Sequence, residues 1–234
     1  MISGLATTAL FDGSAATKRL ARSLVWFKTS ASAHIIAVLV PIATAAGATL
    51  TFIATDVLPT PTLGVAGLFL AISIAGILPG LVGGPLGEEL GWRGVLLPVL
   101  MERLTPLAAA IVLAPIWAAW HGPAFLMSEW RSGTPLSVFV PIYLVSVFGL
   151  SMLLTAVRIK SPNSLVPSIL GHSAHNTAQG ALAAPRLTEV ISVQYAAQIG
   201  WSIASLLLVA GFAALAATSG SWKTSAAPAQ VARD

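Results

Sequence analysis

The sequence predicts an all-α fold, a polytopic membrane helix bundle of about six long spans plus a shorter helix that carries polar motifs. Three observations predict it. Of 234 residues, 56% are hydrophobic and only 9% are charged, against about 25% charged in a soluble domain. The mean hydropathy is +0.86 over the whole chain, so apolar residues are not confined to one anchor. Apolar stretches of about twenty residues recur between turn and charge clusters, the length that crosses about 30 Å of hydrocarbon at 1.5 Å per residue.

Residues 1–30 precede the first such stretch and carry Lys18, Arg19, Arg22 and Lys28, with Leu20, Leu24 and Phe27 at helical spacing among them. They are expected to form a basic, partly amphipathic cytoplasmic arm on an anionic membrane surface; a mobile basic tail is the plainer alternative. The first apolar run starts around His34 and is long. A cleaved signal peptide, with an apolar core of about 7–15 residues near the start, is therefore not expected. The membrane domain is expected over 31–217. Its spans are His34–Ile53, Leu63–Gly83, Pro106–Leu126, Leu136–Val157, Leu165–Ala184 and Ile191–Leu215. Between them stand Asp56 with Pro59 and Pro61, then Ser132–Pro135, Lys160–Asn163 and Pro185–Arg186. Residues 218–234 are small and polar, and a disordered tail is expected there.

Gly87–Arg103 does not fit the scheme of full spans. Its apolar part, Leu90–Met101, is about 18 Å long as a helix and has Glu88, Glu89 and Arg93 at one end and Glu102 and Arg103 at the other. It reads as a half-helix entering the membrane, or as the core-facing part of a tilted span. Six spans plus a non-crossing half-helix put Arg103, Arg158, Lys160, Lys223 and Arg233 on the side of the basic arm. Seven full spans would move Arg158 and Lys160 to the far side, against the positive-inside rule. A multi-pass cell-membrane protein with a cytoplasmic N-terminus is expected, and the Ala- and Gly-rich usage suggests a bacterium.

The formal charge of +4 and pI near 10.0 do not imply nucleic acid. The cations sit singly or in small groups between apolar runs and build no face that could track phosphates. Membrane lipids are the expected partners. The chain has no cysteine, which excludes disulfides, thiolate metal sites and cysteine nucleophiles.

Ionisable groups within the bilayer cost several kcal/mol and mark functional sites by default. In Glu88-Glu89-Leu-Gly-Trp-Arg93, Glu89 and Arg93 stand four apart on one helical face and can pair. Glu88 is turned aside by about 100° and is left without that partner; a charge cluster at a helix start is the plain alternative. In Trp117-Ala-Ala-Trp-His121 the indole of Trp117 shares a face with His121 and can wall it off. Gly122-Pro123 breaks the helix at that point, although a lone histidine is more often a packing residue. In His172-Ser-Ala-His175-Asn176, His172 and Asn176 face the same way with His175 to one side. They could donate hydrogen bonds to an oxyanion or form an interhelical polar clamp. His34, at the mouth of the first span, reads as interfacial. A bundle that must bury these groups would gather them into one pocket.

The order Glu-Glu-x-x-x-Arg, aromatic-x-x-x-His and His-x-x-x-Asn, each on its own membrane helix, resembles the CAAX-protease and bacteriocin-processing (CPBP, or Abi) family. The resemblance is specific over residues 86–98, 116–123 and 170–177, and is otherwise one of hydropathy. Trp117 stands where many members have phenylalanine. The resemblance implies an intramembrane endopeptidase in which Glu88 and His121 activate a water and His172 and Asn176 stabilise the oxyanion. Glu89 and Arg93 would hold the scaffold, and Trp117 would supply an aromatic wall. The substrate would be a membrane-associated or lipid-modified protein or peptide, a leader peptide or a bacteriocin precursor; members are often assigned to self-immunity. The family includes proteins described as metalloproteases and as metal-independent glutamate proteases. No His-Glu-x-x-His helix is present, which would be a strong zinc signal. Glu88, His121 and His172 could hold Zn²⁺ with an open position, but a glutamate base acting alone is favoured. Two other readings compete: a small proton-coupled transporter, for which paired repeats would be expected and none is evident, and a non-catalytic scaffold that keeps the pocket.

Overall fold

The structure is a computed structural model that describes residues 9, 13–25, 29–54, 63–82, 84–128, 130–131, 133–182 and 193–225. Among them there are helices and turns and no strand. Helix α1 is Gly13–Ser23 and α2 is Ala31–Ala54. Helix α3, Leu63–Ala75, breaks at Gly76 into the short α4, Ile77–Gly80. The motif segment runs as α5 (Pro85–Gly91), a wide π turn (Trp92–Leu96) and α6 (Leu97–Met101). Helix α7, Pro106–Trp120, ends at His121 and gives way to α8, Gly122–Phe125. The long helices α9 (Leu136–Lys160), α10 (Val166–Leu182) and α11 (Val193–Ser225) complete the chain. Each expected span coincides with a helix or a helix pair. The breaks at Asp56 and at Pro185–Arg186 lie outside the described residues. Helix α11 continues to Ser225, into the segment expected to be a tail, and residues 226–234 lie outside the described residues.

By length and apolarity, Ala31–Thr51, Leu136–Lys160 and Gln198–Thr218 are able to cross a membrane, and α3 and α7 contribute shorter apolar helices. Helix α10, at 17 residues, is shorter than those three spans and interrupts its apolar residues with serines, histidines, Asn176 and Gln179. Association between apolar helices in lipid rests on close packing of small residues, and the contacts here have that character. Helices α9 and α11 cross where Gly149 and Gly211 meet: a Cβ at Gly149 would lie 2.6 Å from the Leu207 carbonyl carbon, and one at Gly211 would strike the Gly149 carbonyl. Helices α2 and α10 approach at Ala37 and Gly171. Helix α4 is tied to α10 by the Ser173 hydroxyl, which donates to the Ile77 carbonyl at 2.6 Å.

These contacts also give directions. Gly76 faces Thr177 and Gly80 faces Ser173, so α3–α4 runs antiparallel to α10. Ala110 packs with Met152 and Ala156, and Trp117 with Val147, so α7 runs antiparallel to α9. The arm helix α1 docks on the bundle rather than standing apart from it. Leu20 is buried against Leu90, Leu165 and Ile169, and the Ser23 carbonyl accepts from the Leu165 amide at 2.9 Å. Lys18, Arg19 and Arg22 remain exposed.

Candidate active site

The site begins at Gly84, whose φ of +147° is a conformation that side chains rarely adopt. Pro85 follows in the first turn of α5, where its missing N–H costs nothing. This entry sets Glu88 and Glu89 within the bundle, one residue apart and on different faces.

Glu89 is fully buried. Its Oε1 accepts from Arg93 Nη1 at 3.0 Å and lies 2.9 Å from His172 Nδ1 on α10. Arg93 is also fully buried, and His172 nearly so. The ionised carboxylate can only accept, so the proton of that contact sits on His172 Nδ1. In the neutral ring Nε2 is then an acceptor; donation from Nε2 requires both ring nitrogens to be protonated.

Glu88 has a different environment. Its Oε2 accepts from Trp117 Nε1 at 2.7 Å and lies 3.8 Å from His121 Nε2. Both side chains keep 19% exposure, enough for water to reach them, whereas Glu89 has none. His121 Nδ1 lies 3.0 Å from the Trp117 carbonyl. A carbonyl only accepts, so Nδ1 carries the proton and a neutral imidazole turns the Nε2 lone pair toward Glu88. The separation of 3.8 Å exceeds direct hydrogen-bond reach and falls within the span of one shared water.

Trp117 divides the two carboxylates. Its indole N–H serves Glu88, the guanidinium carbon of Arg93 stands 4.3 Å from its ring centre, and His172 meets it edge-on at 5.0 Å. The sequence-based role for Trp117 was a wall beside His121. The structure adds a hydrogen bond to Glu88 that a phenylalanine there could not make.

Asn176 lies one turn beyond His172 on α10 and is exposed, with no hydrogen-bond partner among the described residues; His175 is half-buried beside it. His34 sits at the start of α2 with its Nδ1 near Thr29 Oγ1 and the Ser30 carbonyl, far along the chain from the site residues. Two aromatic residues outside the motifs join the site. Trp130, in the turn between α8 and α9, stacks on His121 at 5.8 Å and 13°, and Tyr143 of α9 lies against it at 5.7 Å. Nothing in the sequence marked Trp130, because a loop tryptophan has no periodicity to follow. Tyr143 could have been noticed as a polar aromatic inside a span.

The set Glu88, His121 and His172 does not converge. Among the described residues no group of three His, Cys, Asp or Glu side chains is arranged to hold a metal ion.

Residues 70–178 match the family described as type II CAAX prenyl endopeptidase, Rce1-like. All three motifs, with the two carboxylates and Trp117 between them, lie inside that segment. That segment is similar to the CAAX-protease family. Among curated proteins it is 25% identical over 107 residues to CAAX prenyl protease 2 of Methanococcus maripaludis, an alignment covering 44% of this chain and 40% of that protein. The chain thus matches less than half of the length of this relative. No solved structure matches it. The matched segment begins within α3 and ends within α10, so α1, α2 and α11 lie outside it.

Proposed function

We propose that this protein is an intramembrane endopeptidase of the CAAX-protease type that hydrolyses a peptide bond of a membrane-associated or lipid-modified protein or peptide. One observation carries the reading: of two adjacent glutamates, Glu89 is sealed with Arg93 and His172, while Glu88 meets His121 where water can enter. A carrier would have no use for that division, but hydrolysis does.

In the proposed reaction Glu88 takes a proton from water, with the His121 Nε2 lone pair orienting it. The resulting hydroxide attacks the scissile carbonyl carbon and leaves an oxyanion. Asn176 is the donor for that oxyanion that needs no protonation; His172 joins it when its ring is doubly protonated. The C–N bond then breaks, and the proton held by Glu88 passes to the leaving amine. His172 keeps its Nε2 free while Nδ1 serves Glu89, but Glu88, His121 and His172 are not arranged as a three-ligand set, so the glutamate-type mechanism is the one proposed.

The test compares protein N-termini in cells expressing wild type or Glu88→Gln at matched levels. New termini with the wild type and none with the variant support the proposal and name the substrate. Coincident profiles with both proteins folded would sink it.

A further inference from the structure

The motif helix has an irregularity that the family motifs do not explain. The Leu97 amide reaches back to the Trp92 carbonyl across the wide turn, so it does not serve Arg93. The next residue in line is Pro98, which has no N–H. The Arg93 carbonyl is therefore left without a donor from its own helix. Unpaired carbonyls away from water are rare and costly. Here the missing donor comes from α9: Arg158 Nε donates to the Arg93 carbonyl at 3.2 Å. The same guanidinium donates through Nη1 to the Ser161 carbonyl at 2.9 Å, which anchors it at the end of its own helix.

We propose that Arg158 is a positioning residue for the carboxylate helix: it caps the Arg93 carbonyl freed by Pro98 and so holds the turn from which the Arg93 side chain reaches Glu89 and Trp117. The route to the chemistry is short. Arg93 binds Glu89 and covers the indole whose N–H holds Glu88. π turns of this kind are a known form of helix irregularity near functional sites, and this one is closed by a side chain 65 residues away. The inference rests on the reading of Glu88 and His121 as the reacting pair for its kinetic consequence, but not for the capping itself.

The assignment predicts a coupling. Alanine at 98 restores an N–H that can serve the helix, after which the Arg158 donor is redundant. Four full-length proteins decide it: wild type, Arg158→Met, Pro98→Ala and the double variant. They are purified in lipid nanodiscs and compared by amide hydrogen exchange over residues 92–99 and by cleavage of a farnesylated CAAX reporter peptide. Glu88→Gln serves as the inactive control. Arg158→Met should speed exchange over 92–99 and lower kcat by about tenfold, the effect of losing one buried hydrogen bond, with KM within about twofold. On the Pro98→Ala background the same substitution should leave exchange unchanged and lower kcat by less than about threefold. Equal effects on both backgrounds would overturn the assignment. Should Arg158→Met alone fail to fold, Pro98→Ala must restore folding, and its failure to do so is likewise fatal. A wild type that does not outpace Glu88→Gln on the reporter overturns the peptidase reading, while the exchange comparison still decides the cap.

Discussion

Glu88 and Glu89 are chemically identical and adjacent, and the difference between them is one helical step. That step gives Glu89 a cation one turn away and a second donor from α10, while Glu88 receives an indole N–H and an imidazole at a distance that admits water. Removing one member of a buried ion pair leaves the other uncompensated and costs about 3–5 kcal/mol. Glu89→Gln should therefore lower unfolding stability in detergent by about that amount and take activity with it. Glu88→Gln should abolish activity and leave stability within about 0.5 kcal/mol, as a partly exposed site allows. Chemical denaturation of the two variants beside wild type checks this. Similar destabilisation by both, or by neither, would remove the division of labour on which the mechanism stands.

At the scale of elements, what was legible in the sequence was whatever a helix determines locally. The 3.6-residue repeat separated Glu88 from Glu89, paired Glu89 with Arg93, and placed His121 at the break made by Gly122-Pro123; runs of apolar residues located the helices. The contacts that assemble the site are tertiary and left no local trace: His172 on Glu89, the Trp117 N–H on Glu88, Trp130 on His121. Pro98 inside a helical pattern was a visible signal, and its consequence became readable only once Arg158 was found opposite it. Glycines behave in the same way. Gly149 and Gly211 look like any glycines in apolar helices until α9 and α11 are seen to touch backbone to backbone. No side chain can yield there, so Gly211→Ala should separate the helices and cost about 1–3 kcal/mol, the range for overpacking a tight contact. A thermal midpoint in detergent reads it. Gly180→Ala, at a position with open space around it, is the control expected to change little. Equal midpoints for Gly211→Ala and wild type would mean that the two helices do not meet this closely.

For the molecule as a whole, one hydrogen bond constrains the topology. The Ser23 carbonyl at the end of the arm accepts from the Leu165 amide at the start of α10, so the arm and the turn after α9 lie at the same end of the bundle. Between them the chain makes five helical passages: α2, α3–α4, the motif segment, α7–α8 and α9. Two points at one end require an even number of crossings, so we predict that one of these passages does not cross. The motif segment is the candidate. Leu20 of the arm packs on Leu90 in its middle, Arg158 near the end of α9 reaches Arg93, and its seventeen residues (Pro85–Met101) span about 25 Å as a helix. The exposed Lys18, Arg19 and Arg22 mark the arm's end of the bundle as the one that the positive-inside rule would assign to the cytoplasm. The chain has no cysteine, so single cysteines at 18, 160 and 137 can be labelled in intact cells without background. A membrane-impermeant thiol reagent added outside should reach position 137, at the start of α9, and spare 18 and 160 until the membrane is opened. Labelling of 18 and 160 from opposite sides would mean that the motif helix crosses the membrane. The Ser23–Leu165 contact could not then exist, and Glu88 would have to meet its substrate from within a full span.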